Sequence, residues 1–106
     1  MLPRVLEPEV MASAEEARDY DAMDHSAVNA SFVQDFLAFW NGLNPVLDVG
    51  TGTAQIPIAL CLKDSGPRVV GIDLSEEMLR VGRANVAAAG LEGRVKLEKQ
   101  DAKRLP

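Results

Sequence analysis

The sequence has 106 residues, the size of one ordinary domain, and its 47% apolar and 25% charged residues are globular proportions rather than those of a disordered chain. A net charge of −5 argues against a nucleic-acid partner, because affinity for a phosphate backbone rests on Lys and Arg. One Cys and one His allow neither an intrachain disulfide nor a familiar zinc spacing, and no apolar run is long enough for a signal peptide or membrane span, so the expected setting is cytoplasmic, without metal or membrane.

Residues 1–12 contain Pro3 and Pro8 and lack periodicity, so they are expected to form an extended arm. Ser13 is placed to cap a helix whose first turn holds Glu15 and Glu16, carboxylates suited to the positive end of the helix dipole. A second helix follows His25 and Ser26. Its apolar stripe is Phe32, Val33, Phe36, Leu37 and Trp40, spaced to dock the arm on a core. Gly42 and Asn44-Pro45 end it.

From Pro45 the pattern changes. Val46, Leu47, Asp48 and Val49 form a short strand stopped by glycines. A helix is expected over 54–63, with Pro57 tolerated in its first turn. A second strand covers 68–73. Ser75 then caps a helix with Glu76 and Glu77 in its first turn and Met78, Leu79, Gly82 and Val86 on its packing face. Gly90 is a suitable stop. Arg80 and Arg83 share this helix with the two acids and are taken as a solvated face. Val95, Lys96, Leu97 and Glu98 alternate as an edge strand would. Cys61, among Ile58, Ala59, Leu60 and Leu62, is expected in the core. The order β-α-β-α-β predicts a Rossmann-like α/β domain with a parallel, incomplete three-stranded sheet over 45–106, preceded by an N-terminal helical arm over 1–44.

Four sets of residues carry the chemistry. Gly50 and Gly52 stand between a strand and a helix, where glycine permits a tight turn and close approach of a ligand to backbone amides at the helix start. Asp73 ends the second strand, where a carboxylate can accept hydrogen bonds from two ribose hydroxyls; its bland alternative is a helix cap. Asp101 follows the third strand at the same sheet edge and could accept from an exocyclic amine such as that of adenine; the alternative is a surface turn. Asp48 precedes the first glycine, where it attracts a cation or orients the loop. An acid beside the loop does not suit a doubly negative pyrophosphate. It does suit S-adenosylmethionine, which presents an ammonium and a sulfonium.

These residues resemble a known family. Val46-Leu47-Asp48-Val49-Gly50-Thr51-Gly52-Thr53-Ala54 is similar to the first motif of class I S-adenosylmethionine-dependent methyltransferases. Gly71-Ile72-Asp73-Leu74-Ser75-Glu76-Glu77-Met78-Leu79 resembles their second motif, and the stretch from Val95 through Asp101 and Ala102 to Pro106 resembles their third. The resemblance implies that Gly50, Thr51, Gly52 and Thr53 line the methionine part of the cofactor. It implies that Asp73 holds the ribose, that Leu74 and Met78 border the adenine, and that Asp101 meets the adenine amine with Ala102 beside it. Tyr20, in an arm similar to the family's cap, is expected near the methionine end. Ala54 departs from the third glycine of many members, with little harm expected. S-adenosylhomocysteine would be the product.

No residue is assigned a catalytic role, and His25 is taken as a cap or surface residue. The family usually continues for four more strands, so this chain alone is expected to bind cofactor rather than catalyse. Two alternatives remain. One is an NAD-binding domain, although Gln55 occupies the third position of Gly-x-Gly-x-x-Gly. The other is a non-catalytic fragment that self-associates: the first strand has an unpaired edge, which invites pairing with another copy or exchange of the arm, and a homo-oligomer is expected.

Overall fold

The structure, a computed structural model, describes residues 13–101 in full and the backbone of residues 4–6. The elements are β1 (Arg4–Leu6), α1 (Ala14–Ala22), α2 (Ser26–Phe39), β2 (Val46–Val49), α3 (Gln55–Lys63), β3 (Val69–Asp73), α4 (Glu76–Ala88) and β4 (Val95–Lys99). The strands are parallel in the order β1-β2-β3-β4. From β2 to β4 the chain alternates strand and helix as its sequence implies. β3 is paired on both sides, with Val69 opposite Val46 and Val95. It is accordingly buried along nearly its whole length, as an inner parallel strand should be. The two crossovers step the same way, and α3 touches α4, as right-handed connections of this order would have it.

The N-terminal segment departs from its sequence-based expectation. Part of the extended arm is a fourth strand, β1, which pairs with β2 from Arg4 opposite Leu47 to Leu6 opposite Val49. The edge of β2 that the sequence leaves unpaired is therefore covered, and edge pairing loses its force as a reason for self-association. The physical cause is the row of amides and carbonyls along β2, which needs partners that a short extended segment can supply. Pro3 and Pro8 lie outside the described residues.

The helix starts follow from their caps. Ser13 Oγ accepts from the Glu16 amide at 3.0 Å, and Ser75 Oγ accepts from the Met78 amide at 3.1 Å. In both helices two glutamates occupy the first turn. Gly90, at φ +71°, adopts the left-handed conformation that stops α4. The core joins Val33 of α2, Val46, Leu60, Val69, Val86 and Val95, with Phe36, Leu37 and Trp40 packed against it. The stripe on α2 thus docks as its spacing predicts, although Phe32 reaches the surface and Phe39 is 90% exposed. Met78, Leu79, Gly82 and Val86 are all buried on α4. Arg80 and Arg83 pair with Glu77 and Glu76 at the surface.

The far end of α3 is held by Arg94. Its guanidinium donates to the carbonyls of Cys61 (2.8 Å), Asp64 (2.7 Å) and Pro67 (2.8 Å). These are terminal and loop carbonyls that the helix itself cannot satisfy. Cys61 is buried, and burial pushes its thiol above the ordinary range while Arg94 pulls the other way. Among the described residues no helix is long and apolar enough to cross a membrane, and no group of His, Cys, Asp and Glu could hold a metal ion.

Candidate functional site

The site is built where β2 gives way to α3. Gly50 and Gly52 have φ of +74° and +56°, and Ala54 follows at +67°. Three left-handed residues in five fold the chain back over the end of β3. Ala54 is fully buried and fits sterically, but a non-glycine residue in this conformation costs about 1 kcal/mol. The loop is pinned by its own hydrogen bonds. The Gly50 and Thr51 amides both donate to the Ile72 carbonyl at 2.9 Å, and the Ala54 amide donates to the Thr51 carbonyl at 3.0 Å. The Gly52 amide donates to Asp73 Oδ2 at 2.9 Å. Four loop amides ahead of α3 are therefore committed within the fold.

Both buried acids act on this loop. Asp48 is 1% exposed and accepts from Thr51 Oγ1 at 2.6 Å through Oδ2. Of the two roles the sequence allows it, the geometry supports orienting the loop. Asp73 is 3% exposed; Oδ1 accepts from the Ser75 amide at 2.8 Å while Oδ2 takes Gly52. It thus joins the loop to the start of α4, and the cap reading and the site reading hold together. Each carboxylate oxygen has a second lone pair, which leaves acceptor capacity for a hydroxyl.

The remaining predicted residues surround this centre unevenly. The Asp73 carbonyl accepts from the Gln100 amide at 3.1 Å, which brings half-buried Asp101 to the same sheet edge. Leu74 is 48% exposed beside Asp73. Met78 is buried with its methyl against Gly52, 2.8 Å from where a Cβ would stand. Thr53 is fully buried, and its Oγ1 has no hydrogen-bond partner among the described residues. Ala102 lies outside the described residues. Tyr20 stacks on His25 with ring centroids 4.8 Å apart. His25 occupies the N-cap position of α2 without a side-chain cap bond; the first turn is instead held by Asp24 Oδ1, which accepts from the Ser26 amide at 2.9 Å.

Sequence reasoning missed two kinds of residue. Gly71 and Gly82 are contact glycines; the sequence marks Gly82 only as part of a packing face, not as a residue that touches the loop. A Cβ on Gly71 would stand 2.8 Å from Thr51 Cβ, and one on Gly82 would stand 3.1 Å from the Gly52 carbonyl. A glycine inside a strand or helix is the signal that could have marked them. The second kind is polar: Asp21, Gln55 and Asn85 join α1 to the loop region and carry no local signature. A groove of about 740 Å³ also runs over α3, lined by Asn29, Val33, Ile58, Leu62, Lys63 and Ala88 among others, but it includes neither a loop glycine nor Asp73.

Comparison with known proteins agrees with this geometry. Residues 46–106 match the family model described as methyltransferase domain. Over 62 residues the chain is 40% identical to a demethylmenaquinone methyltransferase of Porphyromonas gingivalis, a match covering 58% of this chain and 25% of that protein. The chain thus spans about a quarter of that relative's length. Its fold is similar to an O-methyltransferase of Bacillus cereus in complex with S-adenosylhomocysteine (28% identity, TM-score 0.63, 85% of this chain and 44% of that one). It is likewise similar to an RNA methyltransferase of Salinibacter ruber in complex with S-adenosyl-L-homocysteine (23% identity, TM-score 0.66, 79% and 53%). With the family model covering more than half of its residues, the chain belongs to the methyltransferase-domain family, of the class I, S-adenosylmethionine-dependent type.

Proposed function

We propose that residues 45–106 supply the S-adenosylmethionine-binding half of a methyltransferase, with α1 and α2 of the N-terminal region as an arm over it and β1 extending its sheet. The observation that carries this reading is the commitment of the Gly50, Thr51, Gly52 and Ala54 amides to internal acceptors. A pyrophosphate is held chiefly by such amides, so their use elsewhere favours a ligand without phosphate over NAD. A ribose and an adenine amine need only acceptors, and Asp73 and Asp101 are acceptors at one sheet edge. The residues present therefore fit the cofactor.

In this reading Asp73 accepts from the ribose hydroxyls, Asp101 accepts from the adenine amine, and Leu74 and Met78 give the ring an apolar border. Gly50, Thr51, Gly52 and Thr53 line the methionine part. Asp48 acts through Thr51, whose hydroxyl it fixes. Tyr20 completes the enclosure at the methionine end and excludes water. The bound cofactor supplies a methyl group already activated on a sulfonium, so the protein's contribution is mostly position and desolvation. The methyl acceptor and the groups that handle its proton belong to the whole protein's activity, which this half supports by holding the donor.

Calorimetry on the intact protein tests the reading. S-adenosylhomocysteine should bind saturably and NAD should not compete. Asp73→Asn, which keeps one acceptor oxygen but loses the charge, should weaken binding about tenfold, the scale of one charge-assisted hydrogen bond. Binding that survives Asp73→Asn unchanged, or that NAD displaces, overturns it.

A further inference from the structure

We infer that Asp21 is a positioning residue: it latches the helical arm to the cofactor loop through Asn85. Asn85 Nδ2 donates to Asp21 Oδ1 at 2.8 Å and to the Thr53 carbonyl at 3.0 Å. An amide nitrogen has two protons, and these two bonds use both. One group on α4 therefore grips the arm with one proton and the loop with the other.

One further contact reaches the same carboxylate, and another is linked to it through Gln55. Gln55, the first residue of α3, directs Nε2 to Asp21 Oδ1 at 3.3 Å. Asn29 of α2 donates to Gln55 Oε1 at 3.4 Å. α1 thus meets the loop region through Asp21, next in sequence to Tyr20, and α2 meets it through Gln55. The apolar hold on α1 is slight, because Ala17 is its one buried residue. With little apolar surface to seat α1, charge-assisted bonds to Asp21 decide where the helix rests. Two consequences follow: the position of α1 is coupled to the fixed loop through Asn85, and a cofactor lying on the loop favours the latched arm. This inference rests on the proposed cofactor site.

The test is a mutant cycle in the intact protein. S-adenosylhomocysteine affinity is measured by calorimetry for Asp21→Ala, Asn85→Ala, the double variant and Asp21→Asn, and hydrogen exchange of the α1 amides is followed without and with ligand. Each alanine variant should weaken binding about tenfold. The double variant should be about as weak as either single one, because both break the same latch. Asp21→Asn, which can still accept from Asn85, should recover most of the affinity. In the unliganded protein α1 should exchange faster in Asp21→Ala and Asn85→Ala than in the parent.

Ser13→Ala serves as the control, since it weakens the start of α1 without touching the latch. It should speed exchange of α1 yet leave affinity near the parent value. Additive losses, an unchanged Asp21→Ala, or an affinity loss in Ser13→Ala equal to that in Asp21→Ala would each overturn the latch. Should Asp21→Ala fail to fold, Asp21→Asn against Asn85→Ala decides the matter by the same comparison. Failure of the parent itself to bind is a separate result, which overturns the cofactor reading rather than the latch.

Discussion

The cofactor loop and the helical arm are held by opposite means. At the loop, five polar residues, Asp48, Thr51, Thr53, Asp73 and Ser75, are buried, and the backbone amides are spent on fixed acceptors. At the arm, α1 buries only Ala17 and α2 only Val33, while Met23, Val28, Phe32 and Phe39 are exposed. A loop closed by buried charge-assisted bonds is rigid before any ligand arrives, because opening it strands polar groups out of water. Within the arm, α2 is seated on the core by Val33, Phe36, Leu37 and Trp40, whereas α1, held mainly by part-buried polar contacts, can move without exposing much apolar surface. Segments that open most easily are those with few buried contacts, and parts that close on ligands are drawn from them. On the proposed reading, the loop supplies the shape of the site and α1 the part free to move.

The largest effect should come from Gly71→Ala, which attacks the rigid half directly. Its new Cβ would stand 2.8 Å from Thr51 Cβ and 2.9 Å from Leu97 Cδ2, closer than real atoms approach. Something must move, and Thr51 moves only by leaving Asp48. We expect a loss of about 3 kcal/mol in urea unfolding, the upper range for overpacking, together with a large drop in S-adenosylhomocysteine affinity. Gly93→Ala, with nothing within 4 Å, should stay within about 0.5 kcal/mol of the parent. Equal stability of the two variants would show that the loop is not fixed in the way its hydrogen bonds indicate.

An intermediate effect should come from Arg94→Ala. It removes donors to three carbonyls at the end of α3 and its loop, which are left to find water. Bonds from a charged donor contribute about 1.5 to 3 kcal/mol, and a stability loss of about 2 kcal/mol is expected. Because α3 reaches the loop at its opposite end, cofactor affinity should change little. A variant that keeps its stability and loses its affinity would mean that the strain travels along α3, and that the rigid half extends to Arg94.

Legibility in the sequence followed the range of the forces involved. The strand before Gly50, the caps at Ser13 and Ser75 and the buried face of α4 rest on neighbours within a few residues, so local pattern reveals them. β1 does not: Arg4–Leu6 is three residues long, and only the open edge of β2, far along the chain, makes it a strand. Asp21 and Asn85 are 64 positions apart, and no spacing rule joins them. The loop showed a third limit. Its glycines announced a turn that could cradle phosphate, but whether their amides face outward depends on Ile72 and Asp73, which take those amides instead. The ligand class therefore depends on a tertiary fact, although Asp48 pointed the same way from sequence.

The smallest effect concerns the arm and depends on pH. Asp24 is fully exposed, and its carboxyl is held below its ordinary value of 3.8, first by hydrogen bonds from Ser26 and lastly by His25. A carboxyl whose value is lower in the folded state stabilises that state above its unfolded value, and the contribution is lost as pH falls through the folded one. Asp24→Ala should therefore lower the melting temperature slightly at neutral pH, where the charged side chain holds the first turn of α2 through the Ser26 amide. The difference from the parent should shrink below pH 3.8 and vanish once the parent's carboxyl is protonated. A difference that persists in strong acid would assign the effect to packing or helix propensity instead. Cofactor affinity at neutral pH should hardly change, because the latch at Asp21 stays intact. A marked loss there would instead make the start of α2, rather than Asp21, the point where the arm is held.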